Sequence, residues 1–150
     1  PGPPLNIDLY QSLKSIIALG ELLQPGGIIV LYSACPDGFG TTDMFTPYKG
    51  VKSLEEVITN LKAGYKIQMD HALLVTKVLL RGITVIATSP NIPSDVWSSI
   101  WFRGANSPQE ALAIALATSH KSRPRVLFYP QPQRTLPRVK QIESLSETTD

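Results

Sequence analysis

The sequence contains few of the side chains that bind metals or act as nucleophiles. Its 150 residues include one cysteine, Cys35, and two histidines, His71 and His120. A single cysteine excludes an internal disulfide and a cysteine-based zinc site. The two histidines lie far apart in the chain, and neither has an acidic residue at metal-ligand spacing. We therefore expect no self-contained metal site in this chain.

Long apolar runs and a strong excess of one charge are also absent. The formal net charge is +2, and no apolar run reaches the roughly 18–20 residues that a membrane helix needs. Nothing resembles a signal peptide. The sequence therefore predicts a cytoplasmic protein that binds neither membranes nor nucleic acid.

The beginning of the chain has the composition of a linker. Pro1-Gly2-Pro3-Pro4 contains no initiator methionine and is rich in residues that favour extended or turn structure. We expect residues 1–5 to be a linker from a missing N-terminal domain. Residues 6–132 would then form an α/β C-terminal domain, and residues 133–150 a tail that is largely disordered at its end.

Helical patterns alternate with short apolar runs along the chain. The runs at 28–32 and 83–88 are apolar and rich in β-branched residues, which predicts buried strands, and the lack of alternation at 28–32 suggests burial on both faces. The run at 125–129 predicts a third strand. Because helices lie between them, the predicted fold is a Rossmann-like α/β layered sandwich with a small, mostly parallel sheet flanked by helices. A further short strand near Trp101-Phe102-Arg103 or near Tyr65-Lys66 would fit this pattern.

The first helix carries the leading candidate site. We predict that Asn6 caps it, that its apolar residues face the core, and that it ends before Pro25. Tyr10, Gln11 and Lys14 are spaced three and four residues apart, so they share one helix face. Free N–H groups in the first turn would favour an anion nearby. An alternative interpretation is that the three side chains are ordinary polar surface.

Three weaker candidates follow. Asp37, Gly38 and Gly40 lie in a loop that leaves the carboxyl end of the first strand, where open α/β sheets bind ligands. A turn that merely needs glycine explains this loop equally well. His71 is a secondary candidate on the third helix, and Cys35 could be the nucleophile of a thiol enzyme if a cation lay close to it.

Several segments together resemble the C-terminal domain of the lactate racemase family. The most specific are the Tyr-Gln-x-x-Lys motif within Leu9–Lys14 and the Pro25-Gly26-Gly27 turn before the first strand. Weaker likeness is found, in the same order along the chain, at Asp37–Gly40, at Ser107–Leu112 and at 126–130. The likeness covers roughly residues 5–137.

The resemblance implies a function that this chain cannot perform alone. Members of the family are two-domain enzymes that racemise or epimerise 2-hydroxy acids by hydride transfer to a nickel-pincer nucleotide tethered in the N-terminal domain. The C-terminal domain closes the cleft, and its motif, matched here by Tyr10, Gln11 and Lys14, would hold the substrate or the charged groups of the cofactor. The isolated chain would then bind no cofactor and be inactive, and its partners would be the N-terminal catalytic domain and a small 2-hydroxy acid.

The sequence departs from the family at one position, and a second function remains open. Family members have a tryptophan near the start of the third helix, where this chain has Met69 and His71. The substrate could therefore be a hydroxy acid other than lactate. The alternative function is a non-catalytic Rossmann-like domain for ligand binding or protein interaction.

Overall fold

The computed structural model describes residues 1–135, so most of the predicted tail lies outside the described residues. Its helices and strands, in chain order, are α1 (Leu9–Gly20), β1 (Ile28–Tyr32), α2 (Leu54–Gly64), α3 (Asp70–Leu80), β2 (Thr84–Thr88), β3 (Arg103–Gly104) and α4 (Pro108–Thr118). Short 3-10 helices occupy Asp43–Tyr48, Ile67–Met69, Val96–Ile100 and Pro132–Arg134. No helix among the described residues is long and apolar enough to cross a membrane.

The three strands form one parallel sheet in the order β1-β2-β3. Ile28 pairs with Thr84 and Tyr32 with Thr88, so β1 and β2 match over their full length. Helices separate β1 from β2 in sequence, as parallel pairing requires. The predicted α/β class with a small parallel sheet is confirmed.

Helices cover the sheet on both faces. Ile29, Leu31 and Val85 point into the larger core, which α1, α2 and α3 complete. Ile86 points to the opposite face, where it packs against Ala111 and Ala115 of α4. The sheet is thus the middle layer of three.

The two long strands are not equally buried. The side chains of β2 are almost entirely buried, as predicted, but β1 alternates between buried and exposed residues. Val30 and Tyr32 are 39% and 52% exposed. The prediction that β1 is buried on both faces is wrong, because α4 packs on this face of β1 only near Ile28.

The predicted strand at 125–129 is also wrong. Within the described structure its backbone is not part of the sheet, and Val126, Leu127 and Phe128 are 67%, 75% and 84% exposed. High β propensity does not form a strand without a neighbour to pair with. The third strand is instead the short Arg103–Gly104 segment, close to where the sequence suggested an additional one.

The helix caps were predicted with mixed success. Ser53 and Ser107 accept hydrogen bonds from the backbone N–H groups of Glu56 and Glu110, as expected. The first helix begins later than predicted, and its cap is Asp8 rather than Asn6. The carbonyl of Asn6 instead accepts a hydrogen bond from the N–H of Cys35.

Candidate functional site

The first turn of α1 is fastened to the loop that follows β1. The N–H groups of Leu9 and Tyr10 donate to the carbonyls of Gly38 and Phe39 at 2.9 and 3.2 Å. The next N–H, that of Gln11, donates to Asp8 Oδ1 at 2.6 Å, and the N–H of Ser12 donates to the carbonyl of Asp8. All four N–H groups of the first turn are therefore occupied. The expectation of free backbone donors for an anion at this helix end is wrong.

Gly40 allows the loop to lie this close to the helix. Its φ is +72°, and a Cβ there would lie 2.5 Å from the Cγ of Asp8. Gly38 also has a positive φ, but a Cβ there would meet nothing within 4 Å. The carbonyl of Gly38 and the backbone around Gly40 thus hold α1 in place, whereas the side chain of Asp37 is exposed. A direct role of this loop in ligand binding stays a prediction.

Gln11 and Lys14 form a pair at the surface of α1. Lys14 Nζ donates to Gln11 Oε1 at 2.7 Å. Because the amide oxygen faces the ammonium group, the amide hydrogens of Gln11 point away from it and remain available as donors. Lys14 also keeps N–H groups that Gln11 does not use. The pair therefore offers a positive charge and several hydrogen-bond donors, which suits a carboxylate or a phosphate.

Tyr10 is held by the beginning of α3 and makes no hydrogen bond with the Gln11–Lys14 pair. Its hydroxyl donates to Asp70 Oδ1 at 3.1 Å. The same oxygen lies 2.9 Å from His71 Nδ1 and 2.8 Å from the backbone N–H of His71. The rings of Tyr10 and His71 are in contact, with centroids 3.9 Å apart and planes tilted by 37°. Tyr10 is thus fixed both by its hydroxyl and by one face of its ring.

The proton in the Tyr10–Asp70 hydrogen bond has a defined position. Burial, the hydrogen bond to Asp70 and the negative charge of that residue raise the pKa of Tyr10. Burial opposes ionisation of Asp70, but the hydrogen bonds and charge of His71, together with the bond from Tyr10, outweigh it and lower the pKa of that carboxyl. Tyr10 therefore keeps its proton, and Asp70 stays ionised at neutral pH.

His71 is buried behind Tyr10 and Asp70. Its side chain is 5% exposed, compared with 42% for Asp70. Its Nε2 atom is buried and has no hydrogen-bond partner among the described residues. The ring lines a narrow apolar gap together with Leu13, Met44 and other core residues.

The structure separates the predicted site residues into two adjoining groups. It joins Gln11 to Lys14, and it joins Tyr10 to His71 through Asp70. Sequence reasoning missed Asp70, because its contact with Tyr10 spans 60 residues. Its position beside His71 at the start of a predicted helix was the only local signal.

Other parts of the described structure bear on a metal site and on the Cys35 thiol. No cluster of three histidine, cysteine or acidic side chains that could hold a metal ion occurs within residues 1–135. Cys35 is 0% exposed, and its Sγ atom lies 3.6 Å from the hydroxyl of Ser12. A substrate therefore cannot reach this thiol. A shallow apolar pocket of about 450 Å³ is lined by Phe39, Phe45 and other residues, none of them from α1.

Comparison with protein-family models identifies the family of this chain. The model of the lactate racemase C-terminal domain family matches residues 1–131. The chain belongs to this family. The family resemblance suggested by the sequence is thus confirmed.

A solved structure shows the same fold. The lactate racemase apoprotein from Thermoanaerobacterium thermosaccharolyticum matches with a TM-score of 0.70 and 23% sequence identity, over 79% of this chain. The match spans only 29% of the length of that racemase. No curated protein matches the chain.

Proposed function

We propose that this chain is the substrate-closing domain of a lactate-racemase-like enzyme that racemises or epimerises a 2-hydroxy acid. Tyr10, Gln11 and Lys14 would bind the substrate or the charged groups of the cofactor when this domain closes on the N-terminal domain. The observation that carries the proposal is the Gln11–Lys14 pair, whose donors remain available beside a fixed tyrosine. The family membership of the chain supports it.

The side chains present here suit an anion better than a metal ion. Lys14 and Gln11 offer N–H donors, which match carboxylate or phosphate oxygens. The described residues offer no cluster of metal-binding side chains in this region. A nickel-pincer nucleotide bound by the N-terminal domain would supply hydride acceptance. The residues of this chain would orient the substrate and exclude water when the cleft closes.

A linker over residues 1–5 and a domain over residues 6–132 fit this arrangement and remain proposals. A domain that contributes one side of a cleft has no complete site when alone. The isolated chain should therefore have no racemase activity, even when the cofactor is added.

The test is to express the full-length protein with its nickel cofactor and screen 2-hydroxy acids for racemisation or epimerisation. We expect turnover of at least one hydroxy acid by the full-length protein and none by residues 1–150 alone. If the full-length protein turned over no hydroxy acid, the alternative would be favoured, in which the chain is a non-catalytic ligand-binding or interaction domain. Activity of the isolated chain would contradict the proposed division of the site.

A further inference from the structure

β1 lies at one edge of the sheet, and its outer side is open to a further strand. The N–H of Ser33, just after β1, donates to the carbonyl of Thr88 in β2. Since successive residues of a strand direct their backbone groups to opposite sides, Ile28, Val30 and Tyr32 direct theirs away from β2. Within the described residues, no backbone hydrogen bond reaches these outward groups. Such an edge can accept another strand.

A segment with the composition of a strand lies unpaired elsewhere in the structure. Residues 125–129, called the strap below, include Val126, Leu127 and Phe128, all largely exposed. Their residue types are enriched in strands. The strap and β1 each have five residues, so they would match in length when extended. Pro130, which has no N–H to donate, follows the strap and limits its length.

Both ends of the strap lie beside β1. At its beginning, the strap follows α4, and Ile28 at the amino end of β1 packs against the cluster that α4 forms with the sheet. At its end, a Cβ on Gly2 would lie 3.3 Å from Gln131 Cγ. The same N-terminal segment reaches the carboxyl end of β1, where the carbonyl of Asn6 accepts the N–H of Cys35. The strap thus leads from the amino end of β1 to its carboxyl end, as a parallel strand does.

The handedness of the crossovers points to the same edge. α2 and α3 join β1 to β2 over one face of the sheet, and α4 lies on the other face. Right-handed crossovers over opposite faces carry the chain in opposite directions across a sheet. A strand that follows α4 therefore belongs on the β1 side, and the first free position there is the outer edge of β1.

We propose that the strap closes on this edge as a fourth, parallel strand, which gives the order strap-β1-β2-β3. Closure supplies partners for the outward backbone groups of β1, and strap side chains on the α4 face cover Val30 and Tyr32, which are exposed while the strap is open. It also ties α4 to α1, against which Pro132–Arg134 packs. The closed strap blocks an edge that could otherwise pair with another molecule. This inference does not depend on the proposed function.

Amide hydrogen exchange of the 150-residue chain, followed by NMR at single residues, tests the closure. With the strap open, the N–H groups of Val30 and Tyr32 face water and should exchange at the rate of an unstructured peptide. We expect both to exchange at least roughly tenfold more slowly, because a bonded N–H exchanges only while the strap is open. The N–H of Ser33, bonded to Thr88, should be slow in either case and reports that the sheet is intact.

Two proline substitutions in the strap form a matched pair. Neighbouring residues of a strand donate to opposite sides, so only one of Leu127→Pro and Phe128→Pro removes an N–H that pairs with β1. That variant should return the amides of Val30 and Tyr32 to fast exchange, and the other should leave them slow. Ser33 should stay slow in both variants, because the strap lies outside both hydrophobic clusters.

Three results would overturn the inference. Fast exchange of Val30 and Tyr32 in the wild type would mean that the strap does not close. Equal exchange of these amides in the two proline variants would mean that the strap does not pair as a strand. Slow exchange that depended on protein concentration would mean that a second copy, rather than the strap of the same chain, covers the edge of β1.

Discussion

Asp70 connects Tyr10, which is 60 residues away in the sequence, with its neighbour His71. It accepts from the hydroxyl of Tyr10 on α1 and from both the ring and the backbone of His71. Because these contacts lower the pKa of the Asp70 carboxyl in the folded state, they also link stability to pH. An unfolded chain would protonate this group near its ordinary value of 3.8.

Asp70→Asn should therefore change the acid side of the stability profile. A depressed folded-state pKa gives stability that is fully present above the unfolded pKa and is lost as the pH falls through the folded pKa. The variant should be less stable than the wild type at neutral pH, and the difference should shrink as the pH falls below 3.8. Because the carboxylate is 42% exposed, solvent screening keeps this difference below about 1 kcal/mol.

Urea unfolding at several pH values measures this effect. Asp95→Asn is a suitable control, because Asp95 is exposed and its side chain has no hydrogen bond or ion pair among the described residues. The control should run parallel to the wild type. An Asp70→Asn curve that also ran parallel would contradict the network described for Tyr10, Asp70 and His71.

At the scale of elements, the attachment of α1 to the loop after β1 depends on glycine. Gly38 and Gly40 have nearly the same φ, +69° and +72°, but only at Gly40 would a Cβ clash with Asp8. Substitutions at these two glycines therefore separate the cost of backbone strain from the cost of displacing the helix cap.

Gly40→Ala should destabilise the domain more than Gly38→Ala. A left-handed alanine costs about 1 kcal/mol at either position. Gly40→Ala should also displace the Asp8 cap, which adds about 1 kcal/mol. The free energies of unfolding in urea measure both losses. Equal losses would mean that the contact between Gly40 and Asp8 does not hold α1 in place.

The elements also show what the sequence could and could not predict. Caps such as Ser53 and Ser107 were predictable, because their hydrogen bonds span three residues. The segment at 125–129 was not, because strand formation requires a neighbouring strand that local propensity does not provide. Spacing on α1 identified the Gln11–Lys14 pair, whereas the partner of Tyr10 depends on how α1 and α3 pack. Local signals thus predicted the helices and the motif on α1. Only the tertiary structure showed that Asp70 is the partner of Tyr10.

At the scale of the whole molecule, the proposed function makes this chain one wall of a site that another domain completes. Its donors and its fixed tyrosine lie on one face of α1, and the described residues contain no metal-binding cluster. The chain belongs to the lactate racemase C-terminal domain family and spans 29% of the length of the racemase structure that it matches. Proposed catalysis therefore depends on residues of both domains.

The most direct measurement is the rate of hydroxy-acid racemisation by the full-length enzyme with Lys14→Ala. Lys62→Ala, at an exposed lysine on α2, is the matched control. Loss of a charge-assisted hydrogen bond of about 1.5–3 kcal/mol predicts that kcat/KM falls by at least tenfold in Lys14→Ala, with no loss in the control. Both variants should have the same midpoint of urea unfolding as the wild type, because both lysine side chains are exposed. Wild-type kcat/KM in Lys14→Ala would contradict the account.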